Sequence, residues 1–139
     1  MTDNELIAGF EAGTLEHLPH ANHVRLALLY LEQYGRDEAL RRLGDGLLLF
    51  ATLKGHPEKF HVTMTRAWLE PLAAARAAQP GGDPAAFVSA WPEVLDARAL
   101  RRFYSAGLLD GDAARTSWLE PDLAPLDPRV LRGTGSPLV

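Results

Sequence analysis

The sequence contains no cysteine and little positive charge, and each shortage narrows what the chain can be. Without cysteine in its 139 residues, disulfides, thiolate metal sites and cysteine nucleophiles are excluded. Any metal site must therefore use histidine and carboxylate side chains. No apolar stretch approaches the roughly 20 residues of a membrane-spanning helix, so we expect no membrane partner.

Lysine and arginine total 14 against 18 aspartates and glutamates, which gives a formal net charge of -4. The adjacent basic pairs, Arg41-Arg42 and Arg101-Arg102, lie in helical patterns where a solvated face explains them. Phosphate binding needs clustered basic residues, so we predict no nucleic-acid partner. The acidic residues 1–5 lack the regions of a signal peptide, which predicts a cytoplasmic protein.

The remaining composition is that of a globular protein, with 47% hydrophobic and 23% charged residues. Apolar positions recur at steps of three and four over residues 19–34, 38–54 and 60–79. No alternating pattern bounded by hairpin turns is present. The sequence predicts an all-α, single-domain helical bundle of five to six helices over residues 1–127, followed by a loose, irregular, proline-rich tail over residues 128–139.

Caps and glycines predict details of the helices. Thr2 and Glu5 form the pattern of a capping box, and Asp37 is the predicted cap of a helix that starts one residue later. Gly44 and Gly46 lie inside that helix, where each glycine costs about 1 kcal/mol relative to alanine. They predict either close approach of a neighbouring helix or a kink.

The five histidines cluster in the first half of the chain and carry the main functional hypothesis. They are His17, His20, His23, His56 and His61. His20 and His23, three residues apart at a helix start, face the same side, and His61 opens the third long helix. If these helix starts are neighbours, three imidazoles converge. Three protein ligands with an open position commonly hold catalytic zinc or non-haem iron.

Other residues near these histidines predict a small-molecule site. Thr65 shares a helix face with His61, and Trp68 lies one turn further along. Arg25 could hold an anionic group of the ligand. The hypothesis is thus a histidine-lined pocket for a metal ion or a small molecule, with Arg25, Thr65 and Trp68 as ligand-binding residues and His20, His23 and His61 as metal ligands. The sequence specifies no reaction.

A second interpretation stays open. Histidines near helix starts often cap backbone amides or bond to a neighbouring carbonyl. The chain would then be a structural or protein–protein interaction module without catalytic activity, and it could pair with a second copy of itself. His17 and His56 are predicted on the surface or in loops on either interpretation.

Four segments together resemble a family of small, uncharacterised bacterial proteins. They are residues 20–27 (HANHVRLA), residues 60–65 (FHVTMT) with Trp68, residues 103–105 (FYS) and residues 121–126 (PDLAPL). The resemblance covers most of the chain. It implies an all-helical fold with His-x-x-His and His-x-Thr-x-Thr segments, and it points to no particular reaction.

Overall fold

The computed structural model describes residues 1–132 and contains no β-strand in that range. The α-helices are α1 (Asp3–Ala12), α2 (His20–Tyr34), α3 (Arg36–Leu53), α4 (Val62–Ala78), α5 (Pro84–Ala90), α6 (Ala106–Leu109), α7 (Asp112–Thr116) and α8 (Pro128–Leu131). Short 3₁₀ helices cover Pro57–Lys59, Pro92–Leu95 and Ala97–Arg102. The predicted all-α fold is confirmed, and five of these helices have seven residues or more.

The long helices α2, α3 and α4 pack against one another and form the centre of the bundle. Their buried faces follow the apolar spacing of the sequence, with Leu26, Leu28 and Leu69 almost completely buried. Phe103 and Tyr104, from the second half of the chain, complete this core. The shorter helices lie around the three long ones, so these three set the geometry of any site between them.

The helix ends agree only in part with the predicted caps. The capping box is confirmed: the Thr2 hydroxyl accepts from the Glu5 amide at 3.1 Å, and the Glu5 carboxylate accepts from the Thr2 amide at 2.9 Å. The prediction that Asp37 caps α3 is wrong. Gly35, at φ +80°, both ends α2 and precedes α3, so the helix starts at Arg36 and leaves no separate cap position. Asp37 pairs with Arg36 at 2.8 Å instead.

Close helix approach is found at Gly46 and not at Gly44. A Cβ atom added at Gly46 would lie 2.1 Å from Cε2 of Phe10, which belongs to α1. At Gly44 the same atom would meet no neighbour within 4 Å. The missing side chain at Gly46 therefore makes room for the Phe10 ring against α3.

Thr63, near the start of α4, ties that helix to the segment that follows α7. Its hydroxyl donates to the Ser117 carbonyl at 2.7 Å and accepts from the Leu119 amide at 3.1 Å. The Thr63 side chain is completely buried. Tyr104 donates to the Leu119 carbonyl at 2.8 Å, so two side chains hold the same stretch. This stretch lies close to the start of α4.

The predicted loose tail is wrong at its beginning. Pro128 opens α8, and the Asp127 carboxylate accepts from the Arg129 amide as the cap of this helix. Val130 and Leu131 are buried, and α8 contacts α4. Burial of these two apolar side chains holds the segment against the bundle. The rest of the predicted tail, residues 133–139, lies outside the described residues.

In the part of the chain that the structure describes, none of the helices combines the length and the apolar character needed to cross a membrane.

Candidate functional site

A cavity of about 470 Å³ opens between α2, α3, α4 and the 3₁₀ helix Pro57–Lys59. Most of its wall is apolar. The lining residues are His20, His23, Val24, Ala27, Leu43, Leu47, Phe50, Ala51, Lys54, His56, Lys59, Phe60, His61, Met64, Thr65, Trp68, Leu72 and Ala97. The cavity thus brings together both histidine segments of the sequence, as the functional hypothesis requires.

His61 is positioned by both of its ring nitrogens. Nδ1 accepts from the Met64 amide at 3.0 Å, which makes His61 the N-cap of α4. Nε2 donates to the Leu109 carbonyl at 2.9 Å, 48 residues along the chain. A nitrogen that accepts and a nitrogen that donates define a neutral imidazole with its proton on Nε2. His61 therefore has no lone pair left for a ligand unless the cap of α4 breaks.

His20 and His23 are anchored through one nitrogen each. Nε2 of His20 donates to the Val94 carbonyl at 2.9 Å, and Nε2 of His23 donates to the Leu18 carbonyl at 3.1 Å. Their ring centroids lie 6.2 Å apart. Burial lowers the pKa of His23 and the neighbouring His20 adds to this effect, while the hydrogen bond to Leu18 opposes it. The neutral imidazole of His23 is therefore favoured near pH 7.

The three predicted metal ligands line one cavity but are not arranged as a metal centre. A metal-bound histidine needs one nitrogen with a free lone pair, while its other nitrogen often donates to a carbonyl. His20 and His23 meet this requirement through Nδ1, and His61 does not because its Nδ1 caps α4. Within residues 1–132, no group of three or more histidine, aspartate or glutamate side chains could hold a metal ion. Zinc or iron binding stays a prediction, and the hydrogen bonds of His61 do not support its role as a ligand.

Thr65 and Trp68, predicted to bind a ligand, both line the cavity. The Thr65 hydroxyl donates to the His61 carbonyl at 2.7 Å, within the first turn of α4. The Trp68 ring lies against His20, with ring centroids 4.7 Å apart. Trp68 therefore provides a flat apolar surface and a fluorescent reporter in the cavity wall.

Arg25 lies outside the cavity. Its guanidinium Nη2 is 2.6 Å from the Asp3 carboxylate and donates to the Met1 carbonyl at 2.9 Å. It therefore fastens the start of α1 to α2. In a helix, neighbouring positions point about 100° apart, so Arg25 does not share the direction of Val24, which does line the cavity. His17 is exposed, as predicted, and His56 lies in an exposed loop at the cavity rim.

The side of the cavity formed by α3 and the loop that follows it was not predicted from the sequence. Leu47 and Phe50 belong to the apolar pattern of residues 38–54, but periodicity does not separate a packed core from the wall of a cavity. Lys54 and Lys59 carried a usable signal: they are the two lysines of the chain, and they lie five residues apart beside the loop. Both line the cavity.

Comparisons with protein-family models, with curated proteins and with solved structures gave no match for this chain. The resemblance described from the sequence segments therefore remains an expectation.

Proposed function

We propose that this chain binds a small, mainly apolar molecule in the cavity between α2, α3 and α4. The cavity of about 470 Å³ is the observation that carries the proposal. Small-molecule sites typically span about 300–1,000 Å³ and combine an apolar lining with a few placed polar groups. Here Leu47, Phe50 and Trp68 provide apolar surface, and His20 and His23 provide polar groups held in fixed orientations.

Binding of a neutral fluorescent probe, N-phenyl-1-naphthylamine, tests the proposal directly. We expect a saturable rise in probe fluorescence with one site per chain, because the probe leaves water for the apolar cavity. Trp68 is the one of the three tryptophans that lines the cavity, so the tryptophan emission of the protein should also change over the same concentration range. A linear, non-saturating response of both signals would refute the proposal.

Cavity-filling variants place the probe in this cavity. Ala51→Phe adds a ring to the wall from α3, and Ala97→Phe does so from an exposed position at the rim. Leu48→Phe is the matched control, because Leu48 is exposed on the same helix and does not line the cavity. We expect both alanine variants to lose probe binding and Leu48→Phe to keep it. Because Ala97 is exposed, its variant should fold even if Ala51→Phe does not.

The second candidate is a structural or interaction module, and one observation favours it. All three histidines predicted as ligands donate Nε2–H to backbone carbonyls, as residues that join helices to loops would. This candidate expects His61→Ala to lower stability in a chain that binds no probe, and light scattering to find a dimer or larger complex. Probe binding by a monomer would exclude it.

The metal hypothesis has its own test. Protein purified without an affinity tag is analysed for bound zinc and iron, and its melting temperature is measured with and without added metal ion. Bound metal that is lost in His23→Ala would support coordination by the histidine pair on α2. Metal-free protein with an unchanged melting temperature would leave the apolar small molecule as the ligand class.

A further inference from the structure

The charges around the cavity specify the ligand more closely, in an inference that rests on the proposed function. Asp and Glu outnumber Lys and Arg in the sequence. Yet among residues 1–132 the cavity is lined by two lysines and four histidines, and by no aspartate or glutamate. A protein of net charge -4 thus has a cavity whose ionisable groups are all bases.

Lys54 and Lys59 mark the place where the cavity meets solvent. Both side chains line the cavity and both residues are exposed, as is His56 between them. The Lys54 ammonium lies 5.4 Å from the centroid of the Phe50 ring, which is itself part of the wall. A lysine can lay its apolar stem along such a wall and keep its charge at the edge. The rim therefore carries positive charge above an apolar interior.

Neither of these two cations forms an ion pair within residues 1–132. Most arginines in the described part of the chain form ion pairs, whereas neither lysine does. The nearby Glu58 carboxylate bonds to Nδ1 of His56 at 3.1 Å and does not line the cavity. The Lys59 charge contributes to lowering the pKa of Glu58, after hydrogen bonds to its own backbone amide and to His56. Lys54 is thus the cation with no carboxylate partner at the rim.

We infer that the ligand is an amphipathic monoanion, with an apolar body in the cavity and a carboxylate-type head group held at the rim by Lys54 and Lys59. A lysine ammonium is a compact, mobile charge that suits a single anionic oxygen group, whereas paired arginines would indicate bidentate recognition. A cationic ligand would meet only repulsion at this rim. A neutral ligand would leave both charges without a role in binding.

Three eight-carbon probes with different head groups test the inference by displacing N-phenyl-1-naphthylamine: octanoate, 1-octanol and octylamine. The apolar body is constant, so differences in affinity report the head group. We expect octanoate to bind about three- to tenfold tighter than 1-octanol, since exposed ion pairs stabilise only modestly. Octylamine should bind weakest. Raising the salt concentration should weaken octanoate and leave 1-octanol unchanged.

A charge-matched pair of variants assigns the effect to the rim. Lys54→Gln/Lys59→Gln removes two exposed charges at the cavity, and Arg101→Gln/Arg102→Gln removes two exposed charges elsewhere. Both change the net charge equally. We expect the lysine variant to lose about three- to tenfold in octanoate affinity, with 1-octanol unaffected, and the arginine variant to match the wild type.

The outcomes separate the two proposals. If N-phenyl-1-naphthylamine and 1-octanol bind but octanoate binds no tighter, or if the lysine variant keeps full octanoate affinity, the anionic ligand is refuted and the cavity proposal stands. If none of the probes binds saturably to the folded wild-type chain, both proposals fail. Circular dichroism of every variant verifies folding, and Lys54→Gln alone supplies a smaller change should the double variant unfold.

Discussion

Gly46 and Gly44, two residues apart in α3, allow one packing contact to be measured against an internal control. Alanine in place of a helical glycine normally stabilises by about 1 kcal/mol. At Gly44 an added methyl group meets no atom within 4 Å, so Gly44→Ala should raise the free energy of unfolding by about 1 kcal/mol. At Gly46 the methyl carbon would lie 2.1 Å and 2.2 Å from two ring atoms of Phe10.

The Phe10 ring cannot move away cheaply. It is 2% exposed, and its centroid lies 6.3 Å from that of Tyr30, another buried ring. Inserting a methylene into a packed core costs about 1–3 kcal/mol, and this contact is closer than a side chain tolerates without displacement. We take the upper part of that range and subtract the helix gain. Gly46→Ala should then destabilise by about 1–2 kcal/mol.

Urea unfolding followed by circular dichroism measures both variants under the same conditions. The two changes in the free energy of unfolding should have opposite signs, and the difference between them should be about 2–3 kcal/mol. Phe10→Leu in the Gly46→Ala background should recover part of the loss, as a favourable coupling in a double-mutant cycle. If Gly46→Ala stabilised as much as Gly44→Ala, the close approach of α1 and α3 would be refuted.

Three further predictions concern the polar groups of α2 and α4. His61→Ala should lower the free energy of unfolding by about 1–2 kcal/mol, because it removes the cap of α4 and leaves the Leu109 carbonyl unpaired. His61→Asn should keep part of the cap and lose less stability. Equal urea midpoints for the two variants would contradict this prediction. Thr63→Val keeps the side-chain shape but leaves the Ser117 carbonyl without its hydrogen bond, which should lower the free energy of unfolding by about 1–3 kcal/mol. Thr63→Ser should retain most of the stability in the same assay. Folding lowers the pKa of His23 below 6.5, so the unfolded state binds more protons and stability should fall as pH drops below about 6.5. In thermal unfolding between pH 7.5 and 5, His23→Gln should show a smaller decline, and an unchanged decline would contradict the assignment.

Much of the fold could be predicted because its determinants are local. The capping box at Thr2 needs only four residues, and the apolar stripes of α2, α3 and α4 depend on neighbours three and four positions away. The position of α8 could not be predicted in the same way. Val130 and Leu131 form a helix there because α4 offers a surface to cover, and that surface is not visible in the local sequence.

The candidate site shows the same division between local and distant determinants. From the sequence, convergence of His20, His23 and His61 was a hypothesis that depended on whether their helix starts are neighbours; in the structure all three line one cavity. Which ring nitrogen of each histidine donates a hydrogen bond could not be predicted, because this depends on carbonyls such as that of Leu109, far along the chain. Whether α3 packs tightly or leaves a cavity depends on the volumes of all surrounding side chains, and the inward pattern of Leu47 would be identical in both cases.

The hydrogen bonds of His20 to Val94 and of His61 to Leu109 also constrain the order of folding. They span 74 and 48 residues in a protein whose helices form mainly through local contacts. During synthesis, α2, α3 and α4 can meet before residue 109 has been made. At that stage His61 can cap α4 but cannot yet donate to the Leu109 carbonyl. The wall of the cavity should consequently be completed last. Loss of the bond to Leu109 in a His61 variant should therefore mainly speed unfolding, whereas loss of the local cap of α4 should slow folding.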